Sequence, residues 1–462
     1  MRDTVIVGGG PAGLAAAYRL SRFPEQHVSL LERAPVTGGL AAGFSYGSYT
    51  LDFGPHRLHT AIDQEILTDL KDFLGDDLVL NRRQGLIRLS GKYIPFPVGP
   101  GSLLQLGLRN ILKISLGLAS ARLPASESTN RSYESELQRR FGKPLYKMFY
   151  GPYAEKTWGL PGSQIASDQA EKRVNQRGPA DLWRALLGSG TSAYYYYPKK
   201  GFGMIPGAYE KAIADDCNVQ VHLHSSVEAI EWREHQILRV HCNINGESIG
   251  TDPANVVWTA PLPELINRLI PGPPAAVVQA VSSLRYRAIV LFYVVLDIPR
   301  VGQADTYYFP ETRYPFNRII EQKNFSPHMV PPDMTVLCMD IPCSAEGGVF
   351  SLSDAELLEM VMPGLEEAGL AGSEQVVEVF SRRFKYAYPI YDLSYESAIE
   401  KTMAWVKELA NLWLVGRQGL FMHNNTHHSL YMGYRVADAI ANDSRGSWDS
   451  ELEQFAAFRV AD

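Results

Sequence analysis

An apolar tetrapeptide at 4–7 runs straight into Gly8-Gly9-Gly10-Pro11-Ala12-Gly13, and a helix-forming stretch follows to about Ser21. This order of strand, G-x-G-x-x-G and helix constrains the fold more than any other feature of the chain. The first glycine permits a tight turn, the second lets backbone approach a pyrophosphate, and the third lets helix and strand pack closely. Pro11 and Ala12 open a helix whose unpaired N–H groups and partial positive charge suit a phosphate. A second buried strand at 27–32 ends in Glu32, placed to accept hydrogen bonds from a ribose diol. The chain thus opens as a β-turn-α-β unit of a doubly wound sheet that binds a dinucleotide.

Periodicity predicts an amphipathic helix at 62–74, a hairpin at 86–97 with Gly91 in its turn, and mostly helix over 102–187. Antiparallel strands are expected at 220–232 and 236–242. Buried strands follow at 255–261, 286–297 and 335–342, then a helix at 354–369, a late strand at 411–417 and a closing helix at 429–441. There is no internal repeat and no long linker, so the domains are expected to interleave. The expected fold class is α/β: a Rossmann-like dinucleotide-binding domain with an inserted helical domain and an antiparallel β-sheet substrate domain. The boundaries are 1–85, 198–265 and 405–462 for cofactor binding, 98–190 for the helical insertion, and 86–97 with 266–404 for the substrate sheet.

A net charge of −6 argues against a nucleic-acid or anionic-membrane partner. The longest uncharged apolar run, 288–296, is about half of the roughly 20 residues that a membrane helix needs. Four cysteines without a C-x-x-C pair, and no signal-peptide pattern in the glycine-interrupted N-terminus, lead to a cytoplasmic expectation. Cys338 and Cys343 read as core thiols. His423, His427 and His428 lie among asparagines without a nearby carboxylate, so no metal site is expected. The leucine-rich stretch 103–121 reads as core packing, not a membrane contact. Tyrosine is abundant, at 24 residues, and the run Tyr194–Tyr197 reads as strand packing.

Arg33 and then Gly38-Gly39-Leu40 continue the second strand as ERAPVTGGLA, which resembles the second fingerprint of FAD proteins of the amine-oxidase-like superfamily. No second G-x-G-x-x-G exists for a separate NAD(P)H domain. The late segment from Gly416 through Asn425 and Ser429 resembles the loop and helix that approach the flavin in that superfamily, and Gly201-Phe202-Gly203 its glycine segment near the flavin ring. The cofactor expected from this resemblance is FAD, with NADH or NADPH as candidate reductants.

Four segments are further similar to UDP-galactopyranose mutases. LDFGPHRLHT (51–60) places His56 beside the flavin. FYGPYAEKTWGLPGSQIASDQAEKRV (149–174) carries Trp158 and Arg173. YYFPETRYPFNRIIEQKNFSP (307–327) carries Tyr308, Asn317 and Arg318, and RRFKYAYPIYDLSYE (382–396) carries Tyr388. The hairpin GKYIPFPVGP (91–100), with Phe96, matches the segment that grips the nucleotide base.

The resemblance implies a nucleotide-sugar mutase in which the nitrogen N5 of reduced FAD attacks the anomeric carbon, expels the diphosphate and allows the sugar ring to reclose as pyranose or furanose. In that scheme Arg173 and Arg318 hold the diphosphate, because guanidinium stays charged and donates two parallel bonds. Tyr308 and Tyr388 donate hydroxyls to the same group. His56, Arg173 and Arg318 are the expected catalytic residues. The partner is a small nucleotide diphosphate sugar, and a homodimer is compatible with the sequence.

Two departures mark a divergent member. Val98 and Gly99 stand where the mutases commonly have an aromatic and an amide residue, and LFMHNNTHHS (420–429) lacks their arginine. The same scaffold supports oxidases and desaturases, so an FAD-dependent oxidoreductase is the alternative, and a flavin-bound protein without turnover is a third class.

Overall fold

The computed structural model describes residues 2–96, 107–120, 131–174 and 194–460. Five parallel strands form the first sheet, in the order Val219–His222, Gln26–Leu31, Arg2–Val7, Asn255–Trp258 and Leu412–Leu414. Their apolar runs are covered on both faces, as parallel strands require. The chain winds from Arg2–Val7 to one side, then crosses to the other, which creates a switch point beside the first strand. Val7 is in register with both Leu31 and Trp258, and Trp258 with Leu414. The loops after these four strands therefore emerge at one edge, where open α/β sheets bind their ligands.

Small residues decide how the helices cover this sheet. Helix Pro11–Ser21 lies against helix Thr426–Ala441, and a Cβ on Gly433 would stand 2.4 Å from the carbonyl of Ala12. Only glycine permits that approach. The closing helix begins at Thr426 because Asn425 and His428 cap it reciprocally. A further helix, Trp448–Ala456, follows and buries Trp448 and Phe455.

A seven-stranded sheet stands beside the first, in the order Val376–Ile390, Arg285–Leu296, Thr335–Cys343, Arg318–Glu321, Thr306–Tyr308, Gly85–Leu89 and Lys92–Phe96. One pair departs from the expected antiparallel pattern: Thr306–Tyr308 runs parallel to Gly85–Leu89. These two strands come from distant parts of the chain, so no hairpin imposes their direction. The span read as one strand at 220–232 is two. Val219–His222 joins the parallel sheet, His224 turns the chain at φ 50°, and Ser225–Arg233 pairs antiparallel with Gln236–Ile244. Both pieces alternate with period two, so periodicity alone does not show the break.

In the helical part, Leu108–Ser120, Tyr133–Leu145, Gly151–Trp158 and Ser167–Arg173 are helices. Val98, Gly99 and Leu103–Leu106 lie outside the described residues. Core packing accounts for only part of Leu108–Ser120: Ile114 is buried, but Leu112 and Leu116 are exposed. Among the described residues no helix is long and apolar enough to cross a membrane.

Candidate functional site

The loops at the edge of the parallel sheet enclose a cleft of about 770 Å³. Gly8, Gly10, Pro11 and Ala12 form one wall, Glu32, Arg33, Gly39 and Leu40 a second, and Gly416, Arg417 and Ser429 a third. Two helix N-termini, at Pro11 and Thr426, open on it and carry partial positive charge. Each glycine has its own reason. A Cβ on Gly13 would stand 2.0 Å from the carbonyl of Gly8, so the helix could not close on the turn. Gly8 has φ 103°, and a Cβ there would strike the hydroxyl of Thr259. A Cβ on Gly10 would have no neighbour within 4 Å among the described residues; it would enter the cleft.

Glu32 accepts from the backbone N–H of Gly9 and of Ala34, each at 2.7 Å. These bonds fix its carboxylate at the cleft wall and leave lone pairs for a ribose diol.

His56 lines the cleft, packed on Phe202 at 5.2 Å. Its Nε2 donates to the carbonyl of Phe53 at 2.9 Å, so in the neutral ring Nδ1 is an acceptor. Burial first, and then the Arg417 charge, push its pKa down to about 4. Beneath it the buried carboxylate of Asp52 accepts from the Tyr197 hydroxyl, from the N–H of Phe202 at 2.8 Å and from that of Gly203 at 3.3 Å.

Beyond His56, arginines and tyrosines alternate. Arg318 on the large sheet donates to the Tyr388 hydroxyl at 3.2 Å and is held by Asp340. Burial works against its charge, but Asp340 outweighs it and keeps the guanidinium protonated. Arg173 lies 5.4 Å from the ring centres of both Trp158 and Tyr388, and Arg417 lies 6.0 Å from that of Tyr388. Three guanidiniums thus converge on one tyrosine. At the other end Arg83 donates to the Tyr308 hydroxyl at 3.0 Å and covers the ring of Phe96 at 4.7 Å. Tyr308 is the cross-strand partner of Arg318, which joins the two ends of the row. The helix residue Lys156 donates to the carbonyls of Phe309, Glu311 and Phe316, pinning the loop that leads to Arg318.

Residues 11–442 match the family described as flavin containing amine oxidoreductase. The chain belongs to this family. Its fold is shared with the crystal structure of reduced UDP-galactopyranose mutase, at TM-score 0.81 and 19% identity over 96% of each chain. It is shared also with a protein assigned as protoporphyrinogen oxidase from Exiguobacterium sp. 255-15 (TM-score 0.73, 19% identity, 96% of this chain and 99% of that one). Putrescine oxidase bound to putrescine matches at TM-score 0.64 and 17% identity, over 96% of this chain and 99% of that one.

A flavin is the cofactor of this flavin amine oxidoreductase family, and the cleft fits one in its dinucleotide form. The open face at Gly10, the glycine turn, two helix N-termini and the fixed carboxylate of Glu32 suit FAD. Its volume lies in the upper range of small-molecule sites, about 300–1,000 Å³.

Most of the sequence-derived cofactor residues line the cleft, but four stand behind its wall. Gly13 packs helix on strand, Gly38 donates to the carbonyl of Gly9 at 2.7 Å, Gly203 packs on Gly43, and Asn425 caps its helix. Of the substrate residues, Trp158, Arg173, Tyr388 and Arg318 are brought together, and Tyr308 pairs with Phe96. Asn317 is buried behind them: its amide donates to Thr157 at 2.8 Å, and its buried oxygen has no partner among the described residues.

Sequence reasoning missed Arg83, Arg417 and the role of His423. Arg417 directly follows Gly416 in a strand-to-glycine turn, a position that could have flagged it. It brings a guanidinium to the site from upstream of 420–429, the segment that carries none.

Proposed function

We propose that the chain is a flavin-dependent nucleotide-sugar mutase that interconverts pyranose and furanose rings. The observation that carries this reading is the convergence of Arg173, Arg318 and Arg417 on Tyr388, with the charges of Arg318 and Arg417 acting on His56 in the cleft lining. A protonated amine is repelled by a cationic row and an apolar oxidisable substrate does not call for one, whereas a leaving diphosphate does. Arg173 and Arg318 hold the diphosphate before and after the sugar detaches. The Arg318 bond occupies the oxygen lone pair of Tyr388, which leaves its proton to donate to the anion. Tyr308 does the same beside Arg83. His56, neutral and fixed by Phe53, presents Nδ1 as an acceptor. Reduced flavin, when bound, supplies the nucleophile of this chemistry.

Within this reading, segments 1–85, 198–265 and 405–462 bind the cofactor, 98–190 forms the helical insertion, and 86–97 with 266–404 carries the substrate sheet. The fold likeness to reduced UDP-galactopyranose mutase supports the assignment.

The test is to reduce the flavin-loaded protein with dithionite, or with NADH or NADPH, without oxygen, and supply a panel of nucleotide hexoses and pentoses. Ring-contracted product formed with the flavin still reduced is the expected result. Turnover that requires oxidised flavin or consumes oxygen overturns it in favour of an oxidoreductase. Binding of nucleotide sugar with no turnover in either redox state overturns it in favour of a non-catalytic flavoprotein.

A further inference from the structure

His423 lies in the loop between Arg417 and the closing helix, and it is fully buried. Its Nδ1 stands 3.3 Å from Nη2 of Arg173. Its ring meets Trp158 edge-on at 5.1 Å and lies 4.8 Å from Tyr391, whose hydroxyl accepts from the His423 N–H at 3.3 Å. The Arg173 guanidinium therefore has Trp158 and Tyr388 against it and an imidazole nitrogen at its edge.

Only one protonation state fits this arrangement. Guanidinium can only donate, so Nδ1 must accept and the ring proton must sit on Nε2. Nε2 is buried on the side of the Pro389 carbonyl, without closing a bond of good geometry. An imidazolium here would face Arg173, Arg417 and Lys172. Burial, followed by the charges of Arg173 and Arg417, holds the pKa well below the ordinary histidine value.

The next residue connects this contact to the cofactor side. Asn424 lines the cleft, binds Arg417 through its carbonyl, and donates to the Ser429 hydroxyl at 3.1 Å. The His423–Arg173 bond thus ties the helical segment that carries Arg173 to the loop that walls the cleft.

We infer that His423 is a positioning residue for Arg173, holding the guanidinium against Trp158 and Tyr388 in the orientation that binds an anionic ligand. The inference rests on the diphosphate reading above. His423 touches neither ligand nor cofactor in this role; it acts through Arg173.

The experiment is calorimetric binding of inorganic pyrophosphate to the flavin-loaded protein. Variants are Arg173→Ala, His423→Phe, which keeps a ring and removes the acceptor, His423→Asn, which restores an acceptor, and the double variant Arg173→Ala/His423→Phe. Flavin content and thermal unfolding check folding, with His423→Leu in reserve if the phenylalanine variant does not fold. His423→Phe is expected to weaken pyrophosphate roughly tenfold, the size of one charge-assisted hydrogen bond. His423→Asn should recover most of that loss, and the double variant should bind no worse than Arg173→Ala alone. Additive losses, or unchanged binding in His423→Phe while Arg173→Ala is weakened, overturn the positioning role only. Unchanged binding in Arg173→Ala overturns the diphosphate reading and the positioning role with it.

Discussion

Arg318 donates through Nη2 to the hydroxyl of Tyr388 at 3.2 Å while its Nε is held by Asp340 at 2.5 Å. One planar group thus spans a buried carboxylate and a phenol, and it sets the direction in which the Tyr388 proton points. A point charge on a flexible stem cannot hold both partners at once. Arg318→Lys is therefore expected to lower kcat/KM for the productive nucleotide sugar by on the order of 10- to 100-fold, as losing a charge-assisted bond implies. Flavin content should stay normal. Steady-state kinetics beside flavin absorbance checks this, and near-normal kinetics in Arg318→Lys would remove Arg318 from the diphosphate site.

Gly10 and Gly13 should fail differently when changed to alanine. At Gly13 the new Cβ would stand 2.0 Å from the Gly8 carbonyl, so the strand-turn-helix unit itself is strained. At Gly10 it has no neighbour within 4 Å among the described residues. Gly13→Ala should lower the thermal midpoint of the flavin-free protein. Gly10→Ala should leave that midpoint unchanged and lower the affinity for FAD. Melting curves with and without FAD, together with fluorescence titration, separate the two outcomes.

Arg417→Ala tests a cation that has no precedent in the loop motif at 420–429. Its charge depresses the His56 pKa, second only to burial. Removing it should raise that pKa from about 4 while leaving it below the ordinary value, which histidine-labelled NMR can follow. Turnover should fall roughly tenfold or more if Arg417 helps to hold the anion.

Acid stability follows from buried imidazoles. Burial is the largest cause of lowered pKa in His56 and His428, each at about 4, and in His427, at about 2. The folded state keeps them neutral while the unfolded chain binds protons below about 6.5, so stability falls as pH drops from there toward 4. Asp52 acts in the opposite sense. Burial raises it to about 6, so the folded state retains a proton that the unfolded chain has released, and this contribution falls as pH rises toward 6. The depressed imidazoles, His423 among them, outnumber the two carboxylates that burial raises, Asp52 and Glu321, and the thermal midpoint should decline on acidification. His428→Asn should flatten the decline and Asp52→Asn should steepen it. A series of melts between pH 4 and 7 reads both slopes.

The cofactor half of the molecule is legible because its signals are local. The glycine spacing at Gly8–Gly13, the end of the second strand at Glu32 and the pair Gly38-Gly39 all act within a few residues of the turns they form. The cationic row is less legible. Family resemblance singles out Arg173, Arg318 and Tyr388, but the contacts of Arg83 with Tyr308, of Arg417 with Tyr388 and of His423 with Arg173 form only when distant segments meet; Arg173 and His423 are 250 positions apart. The strand break at His224 was hidden for a related reason, since two strands of different sheets can share one alternation.

Tyrosine abundance shows the division most clearly. The sequence alone determined that the fold must find places for 24 tyrosines. Folding decided their use: Tyr197 donates to Asp52, Tyr386 to Glu264, Tyr395 to Asp168 and Tyr434 to Asp69, each supplying a hydroxyl to a carboxylate far along the chain. Composition and spacing record which groups are present and what nearby backbone can do. Which donor reaches which acceptor depends on strand order and register, because a hydrogen bond acts over about 3 Å, and only the packed chain brings such residues that close.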